Sequence, residues 1–135
     1  MPINFDSALG IHQDAVRIRS QRAELLASNM ANADTPNFKA RDIDFASAMK
    51  MAATGQNSAG IKTTHSNHIS MSSSGYLNSP AIQYRTAMQD SLDGNTVDEQ
   101  IEQAQFMQNA VQYQASLNFL SGKFKGILTA IKGGE

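Results

Sequence analysis

The chain has 135 residues, a formal net charge of −1, and neither cysteine nor tryptophan. That length is one domain's worth of sequence, and so balanced a charge gives no electrostatic reason to expect nucleic acid or an anionic membrane as partner. The missing cysteine excludes a disulfide framework, a cysteine nucleophile and a cysteine-ligated zinc site.

At the start, Met1-Pro2-Ile3-Asn4-Phe5-Asp6 has neither the basic nor the apolar stretch of a cleaved secretory signal. The expectation is therefore a cytosolic protein or one exported by a route that reads no such signal. No run approaches the roughly 20 apolar residues of a membrane-spanning helix.

The first predicted element is a long helix over about residues 5–33. Phe5, Leu9, His12, Val16, Arg19, Ala23, Leu26, Met30 and Ala33 follow steps of four and three. Ala8, Ile11, Ala15, Ile18 and Leu25 form a second stripe beside that seam, so the apolar face is wider than a two-stranded coil requires. Pro36 disfavours helix at Thr35 and should end the element.

The middle of the chain reads as irregular and polar. Thr54-Gly55-Gln56-Asn57-Ser58-Ala59-Gly60 and Ser72-Ser73-Ser74-Gly75 carry no helical period. Short strands are expected around 60–64 and 81–85, and Ser91-Leu92-Asp93-Gly94-Asn95 reads as a turn.

The last predicted element is a helix over about residues 97–132. Thr96 and Glu99 have capping-box spacing. Acidic Asp98, Glu99 and Glu102 near the start and Lys123, Lys125 and Lys132 near the end suit the helix dipole. Phe106, Ala110, Tyr113, Leu117, Leu120, Phe124, Ile127 and Ile131 form an unbroken seam. Val97, Ile101, Ala104, Met107 and Val111 mark another face, and Gly133-Gly134 is a stop. Gly122-x-x-x-Gly126 suits close approach of another helix, since two interior glycines cost about 1 kcal/mol each relative to alanine.

The plan is mainly α: a helical segment 1–35, an irregular and partly extended segment 36–95, and a helical segment 96–135. Two helices with apolar stripes on several faces cannot cover those faces with each other alone. Oligomerisation is expected from the pattern itself, with the symmetry open between rings and helical filaments. The candidate helix–helix contacts are Leu9, Val16, Leu26 and Met30 on the first helix, and Phe106, Tyr113, Leu117, Leu120, Gly122, Phe124, Gly126 and Ile127 on the last.

Candidate chemistry is sparse. His65 and His68 supply two metal ligands with no third nearby, so a solvated pair is the better reading and no metal or other cofactor is expected. Ser47-Ala48-Met49-Lys50 matches S-x-x-K, yet the companion S-D-N and K-T-G elements are missing. Asp42 and Asp44 alternate with Ile43 and Phe45 and read as the polar face of an extended strip rather than a magnesium site. Arg17, Arg19 and Arg22 form a basic cluster for which a solvated or salt-bridged face is the default; in an assembly it could instead meet a neighbour's Asp98, Glu99 or Glu102. No catalytic constellation emerges, so the expectation is a protein that is not an enzyme. A cytosolic helical adaptor or export-chaperone-like binding module shares these amphipathic ends and is the alternative.

One stretch goes beyond pattern. Ala27-Ser28-Asn29-Met30-Ala31-Asn32-Ala33-Asp34-Thr35-Pro36-Asn37-Phe38-Lys39-Ala40-Arg41-Asp42-Ile43-Asp44-Phe45 closely resembles the N-terminal signature of the flagellar axial proteins, the rod and hook subunits. Ser91-Leu92-Asp93-Gly94-Asn95-Thr96-Val97-Asp98 and Gln112-Tyr113-Gln114-Ala115-Ser116-Leu117 resemble the proximal rod members of that family. Asn37 departs from the family's frequent glycine but tolerates the same turn. The resemblance implies a rod subunit of the bacterial flagellar basal body that transmits torque. It implies periplasmic placement, export through the flagellar type III apparatus, and terminal helices packed as a coiled-coil layer around the export channel. The implied partners are further copies of itself, rod proteins of the FlgC, FlgF and FlgG types, the FliE adaptor, the MS ring and the export gate.

Within the motif, Asn29, Asn32, Thr35, Pro36, Phe38, Asp42 and Phe45 are the candidate assembly residues. Asn29 and Asn32 lie three apart on one helix face. Their carboxamides can satisfy backbone groups where the chain leaves the helix or bond to a neighbouring subunit. Phe38 and Phe45 are expected to pin the outgoing chain onto the helices.

Overall fold

Five elements follow along the chain: α1 (Ile11–Ala31), β1 (Arg41–Ile43), α2 (Phe45–Thr54), β2 (Ile82–Tyr84) and α3 (Glu99–Lys132). This computed structural model describes residues 8–54, 82–87 and 91–133. The chain is mainly α-helical, and its two long helices pack against each other. They run antiparallel: Asn29 near the end of α1 meets Glu102 near the start of α3, while His12 stacks near Phe119, with ring centroids 6.2 Å apart.

α1 is shorter than its seam suggests. Residues 8–9 are helical, but Gly10 follows with φ +56°, a backbone that ordinary residues avoid, and the ladder restarts at Ile11. At its other end α1 stops four residues ahead of Thr35. The carbonyls of Asn32, Ala33 and Thr35 are taken by the Asn95 carboxamide instead of by further helical turns. Phe5, at the head of the expected seam, lies outside the described residues.

β1 pairs with β2 antiparallel, Arg41 opposite Tyr84, Asp42 opposite Gln83 and Ile43 opposite Ile82. The Arg85 N–H donates to the Ala40 carbonyl at 2.9 Å and lengthens the ladder. β2 falls where the sequence suggests a strand; the other expected strand, 60–64, lies outside the described residues, as do His65 and His68.

α2 corrects the reading of residues 36–95 as irregular or extended, for residues 45–54 alone. The extended strip ends at Asp44, which caps the new helix: its carboxylate accepts from the Ala46 N–H at 3.1 Å and the Ser47 hydroxyl at 2.6 Å. Ser47, the serine of S-x-x-K, is thus a first-turn residue bound to that cap. Phe45, Ala48, Met49 and Ala52 recur at helical spacing, and the helix lays its apolar side on α1. The core cluster is Ile18 and Leu25 of α1, Ile43 of β1 and Ala48 of α2, with Phe45, Met49, Met51 and Ile82 against it.

α3 spans 34 residues, about 50 Å at 1.5 Å per residue. Its start also needs correction. Asp98, not Thr96, is the N-cap, accepting from the Gln100 and Ile101 N–H groups at 3.0 and 3.2 Å. Thr96 faces elsewhere, its hydroxyl accepting from the Ala40 N–H at 2.8 Å. Gly133 closes the helix with φ +81° and an N–H bond to the Thr129 carbonyl.

The line of α3 that is buried within the chain is polar. Glu102, Asn109 and Ser116, at steps of seven, are its buried residues. The apolar seam from Phe106 to Ile131 is only half-buried or exposed.

Candidate assembly site at the junction of the terminal helices

Where the helices meet, two guanidinium groups face two carboxylates. Arg22 of α1 grips Asp42 of β1 with two bonds, Nε to Oδ1 at 2.8 Å and Nη2 to Oδ2 at 2.9 Å. Arg85, just past β2, donates Nη2 to the same Asp42 Oδ2 at 2.7 Å and Nη1 to Glu102 Oε1. Glu102 Oε2 accepts from Asn29 at 3.0 Å, and Gln105 accepts from Arg22 at 2.9 Å. The four charges cancel, so burial that would be costly for one ion is tolerated for the set.

Burial pushes the Asp42 carboxyl up, but hydrogen bonds from Arg22 and Arg85 outweigh it and hold the group below the ordinary carboxylate range. The bond to Asp42 raises Arg22 in turn. Arg19 is lowered, first by burial and then by the neighbouring Arg22 charge. Its guanidinium lies 4.0 Å from the Phe45 ring centroid and donates to Ser116 and Gln112 of α3. Arg17 pairs with Asp14 at 2.7 Å. The basic cluster is therefore engaged inside the chain.

A second layer joins two turns. The segment after α1 and the segment before α3, both carriers of the family resemblance, lock onto each other. The Asn37 N–H donates to the Asp93 carbonyl at 2.9 Å, and the Thr96 N–H to the Phe38 carbonyl at 3.1 Å. Lys39 Nζ reaches the Gly94 carbonyl at 2.6 Å. Asn95 is the hub: its Nδ2 donates to the carbonyls of Asn32, Ala33 and Thr35 at 3.1, 2.6 and 3.0 Å, and its Oδ1 accepts from the Val97 N–H at 2.8 Å. Gly94 has φ +72°, and a Cβ there would stand 2.7 Å from Asn37 Oδ1; Asn37 itself takes φ +61°.

The motif residues fall into this frame. Asn29 is buried and bonds the Arg41 backbone on both sides, donating to its carbonyl at 2.8 Å and accepting from its N–H at 3.1 Å. Asn32 donates to the Ser28 carbonyl at 2.8 Å and accepts from the Thr35 hydroxyl at 3.2 Å. Both carboxamides thus bond where the chain leaves the helix. Pro36 is exposed at the turn, Phe38 is half-buried, and Phe45 opens α2 beneath Arg19.

Leu9 and Leu26 are buried; Val16, Met30, Phe106, Tyr113, Leu117, Leu120 and Ile127 are half-buried. Val16, Tyr113 and Leu120 line an open groove of about 690 Å³ with Leu25, Ile43 and Ile82. Leu117, Leu120 and Phe124 line a second, about 350 Å³, with Leu128. Gly122 and Gly126 are exposed, and nothing stands within 4 Å of a Cβ built on either. Further out on α3, Met107, Val111, Phe119 and Ile131 are 63, 72, 64 and 77 % exposed.

Arg85, Asn95, Gln105 and Asn109 are the junction residues that sequence reasoning passes over. Only Asn95 carries a local signal, as the residue after an Asp-Gly turn; the others are recognisable only by partners distant in sequence. Among the described residues no group of three or more His, Cys, Asp or Glu side chains could hold a metal ion. Nor is any helix there long and apolar enough to cross a membrane.

No family model matches the chain. Individual relatives do. The flagellar basal body rod protein FlgB of Aeromonas hydrophila is 49% identical, with 98% of each chain covered. The FlgB proteins of Salmonella typhimurium and Escherichia coli are 44% and 43% identical, with 97% of each chain covered. Likeness at that level runs through both terminal helices and the junction that joins them. The chain therefore belongs to the FlgB family of flagellar basal-body rod proteins, structural subunits and not enzymes.

Proposed function

We propose that this subunit polymerises through the outward faces of its terminal helices, as part of the proximal rod that links the MS ring and export gate to the rest of the rod and transmits torque. The observation that carries this is the state of α3. A 34-residue helix buries a polar line inside its own chain and leaves Met107, Val111, Phe119, Phe124, Leu128 and Ile131 exposed. So many large apolar side chains on one helix call for partners, and two half-open apolar grooves lie beside them.

In this reading further copies of the chain, rod proteins of the FlgC, FlgF and FlgG types and the FliE adaptor cover those faces as a coiled-coil layer. The place is the periplasmic rod, reached through the flagellar type III apparatus. The charge-balanced junction suits a torque-bearing part, because it ties α1, β1, β2 and α3 by directional bonds that resist sliding.

The test is complementation of a deletion strain with Val111→Asp combined with Phe119→Asp. The purified variant should keep its helix content while rods and motility are lost. Normal rods from this variant would overturn the proposal. Discrete dimers of the wild-type chain at every concentration, with none in purified basal bodies, would favour the adaptor reading instead.

A further inference from the structure

The polar line of α3 has a geometry that its burial alone does not explain. Glu102, Asn109 and Ser116 follow one another at about two helical turns, so they form one stripe along the contact with α1. Each is met by a directional hydrogen bond to a different group. Glu102 takes Asn29 and Arg85; the Asn109 Nδ2 donates to the Arg19 backbone carbonyl at 2.9 Å; Ser116 Oγ accepts from Arg19 Nε at 3.1 Å. Apolar side chains at these sites would satisfy burial with no such requirement. Asn109 even carries a cost, since its buried Oδ1 has no hydrogen-bond partner among the described residues.

A stripe repeating every seven residues invites slippage. Shifting α3 by one heptad along α1 would superpose polar on polar and apolar on apolar. The partners forbid it. One direction carries Glu102 beyond the end of α1, and the other moves it from Asn29 toward Arg22; both break its bonds to Asn29 and Arg85. Either also moves Asn109 off the Arg19 carbonyl. A buried polar residue in a helix–helix seam is known to fix register at a cost in stability.

We propose that Glu102, Asn109 and Ser116 are register-determining residues, which hold α3 to α1 in one alignment and reject the heptad-slipped ones. The consequence for assembly is that register decides at what height along α1 the exposed apolar side chains of α3 are presented. The proposal concerns the isolated chain and stands apart from the rod reading.

The natural absence of cysteine allows a direct test. His12 and Phe119 face each other in the observed alignment. Full-length chains carrying His12→Cys with Phe119→Cys, Gln112→Cys or Gly126→Cys report the native and the two slipped alignments through a short bis-maleimide. In the otherwise wild-type chain only the His12→Cys/Phe119→Cys pair should cross-link efficiently within one molecule. In chains that also carry Asn109→Leu and Ser116→Leu, the slipped pairs should rise several-fold, and more again when Glu102→Leu is added. The Asn109→Leu/Ser116→Leu chain should melt close to the parent, because the unsatisfied Asn109 Oδ1 has been removed. Adding Glu102→Leu should lower the melting point, because Arg85 and Asn29 lose their buried partner.

Equal cross-linking of the three pairs in the parent would overturn the proposal. So would continued exclusivity of the native pair in both leucine backgrounds with helix content intact. Loss of helix in both backgrounds would also overturn it, since the residues would then serve folding itself and not register.

Discussion

Arg22 holds Asp42 through two parallel bonds, Nε to Oδ1 at 2.8 Å and Nη2 to Oδ2 at 2.9 Å, across 20 residues of sequence. This fork joins the first helix to the first strand, and Arg85 brings the second strand to the same carboxylate. Asp42→Asn keeps the shape and removes the charge, leaving two guanidinium groups facing each other over a neutral side chain. The pair is partly exposed, so solvent screens some of the effect. The expected cost is on the order of 2 kcal/mol, below that of a fully buried pair. A fall in the urea midpoint at unchanged slope measures it; an unchanged midpoint would show that solvent already satisfies both arginines.

The same carboxylate sets an acid response. Its folded value lies below its unfolded one, so its contribution is complete above the unfolded value of about 3.9 and is lost as pH falls through the lower folded value. As pH falls below about 4, the wild-type chain should lose stability more steeply than Asp42→Asn. Parallel pH profiles for the two chains would remove Asp42 from the response.

Asn95 separates a donor role from an acceptor role. Asn95→Ala removes the bonds to three carbonyls and the bond from Val97, at an expected cost of about 1–3 kcal/mol. Asn95→Asp keeps the acceptor for Val97 but cannot donate to the carbonyls. It should be at least as damaging as alanine at neutral pH. A near-native Asn95→Asp would mean that the Val97 contact, not the closure of α1, is what matters there.

Gly122→Leu with Gly126→Leu should divide folding from assembly. No atom stands where the new side chains begin, and leaving glycine in a helix interior gains up to about 1 kcal/mol per site. The isolated chain should therefore be as stable as its parent or more so, while rods fail to form. Intact rods would show that no neighbour approaches closely at these glycines.

Phe38→Ala tests the exit from α1. Phe38 is half-buried between the Thr35 and Thr96 backbone contacts. Its loss should reduce both stability and motility, by roughly 1–3 kcal/mol for the former; unchanged motility would dissociate the turn from assembly.

Some of the fold was legible and some concealed for identifiable reasons. α2 announced itself through Asp44 ahead of Phe45, Ala48, Met49 and Ala52, but Asp42-Ile43-Asp44-Phe45 also alternates as a strand does, and the strand period masked the helix. Thr96 and Glu99 have the spacing of a capping box, yet the Ala40 N–H claims the threonine hydroxyl and leaves the cap to Asp98.

By itself the sequence determined that the ends are long helices, that the last one stops at Gly133, and that the Asn29–Phe45 and Ser91–Asp98 segments carry the family's character. These are local properties: period, caps, and glycine at positive φ. Only the tertiary structure decided which face of each helix turns inward. Periodicity groups residues onto faces but does not say what meets them. Glu102 can be buried because Asn29 and Arg85, 73 and 17 residues away, satisfy it. The apolar seam of α3 looks like a core in sequence and is left half-buried or exposed, because the line that α3 buries is the polar one of Glu102, Asn109 and Ser116.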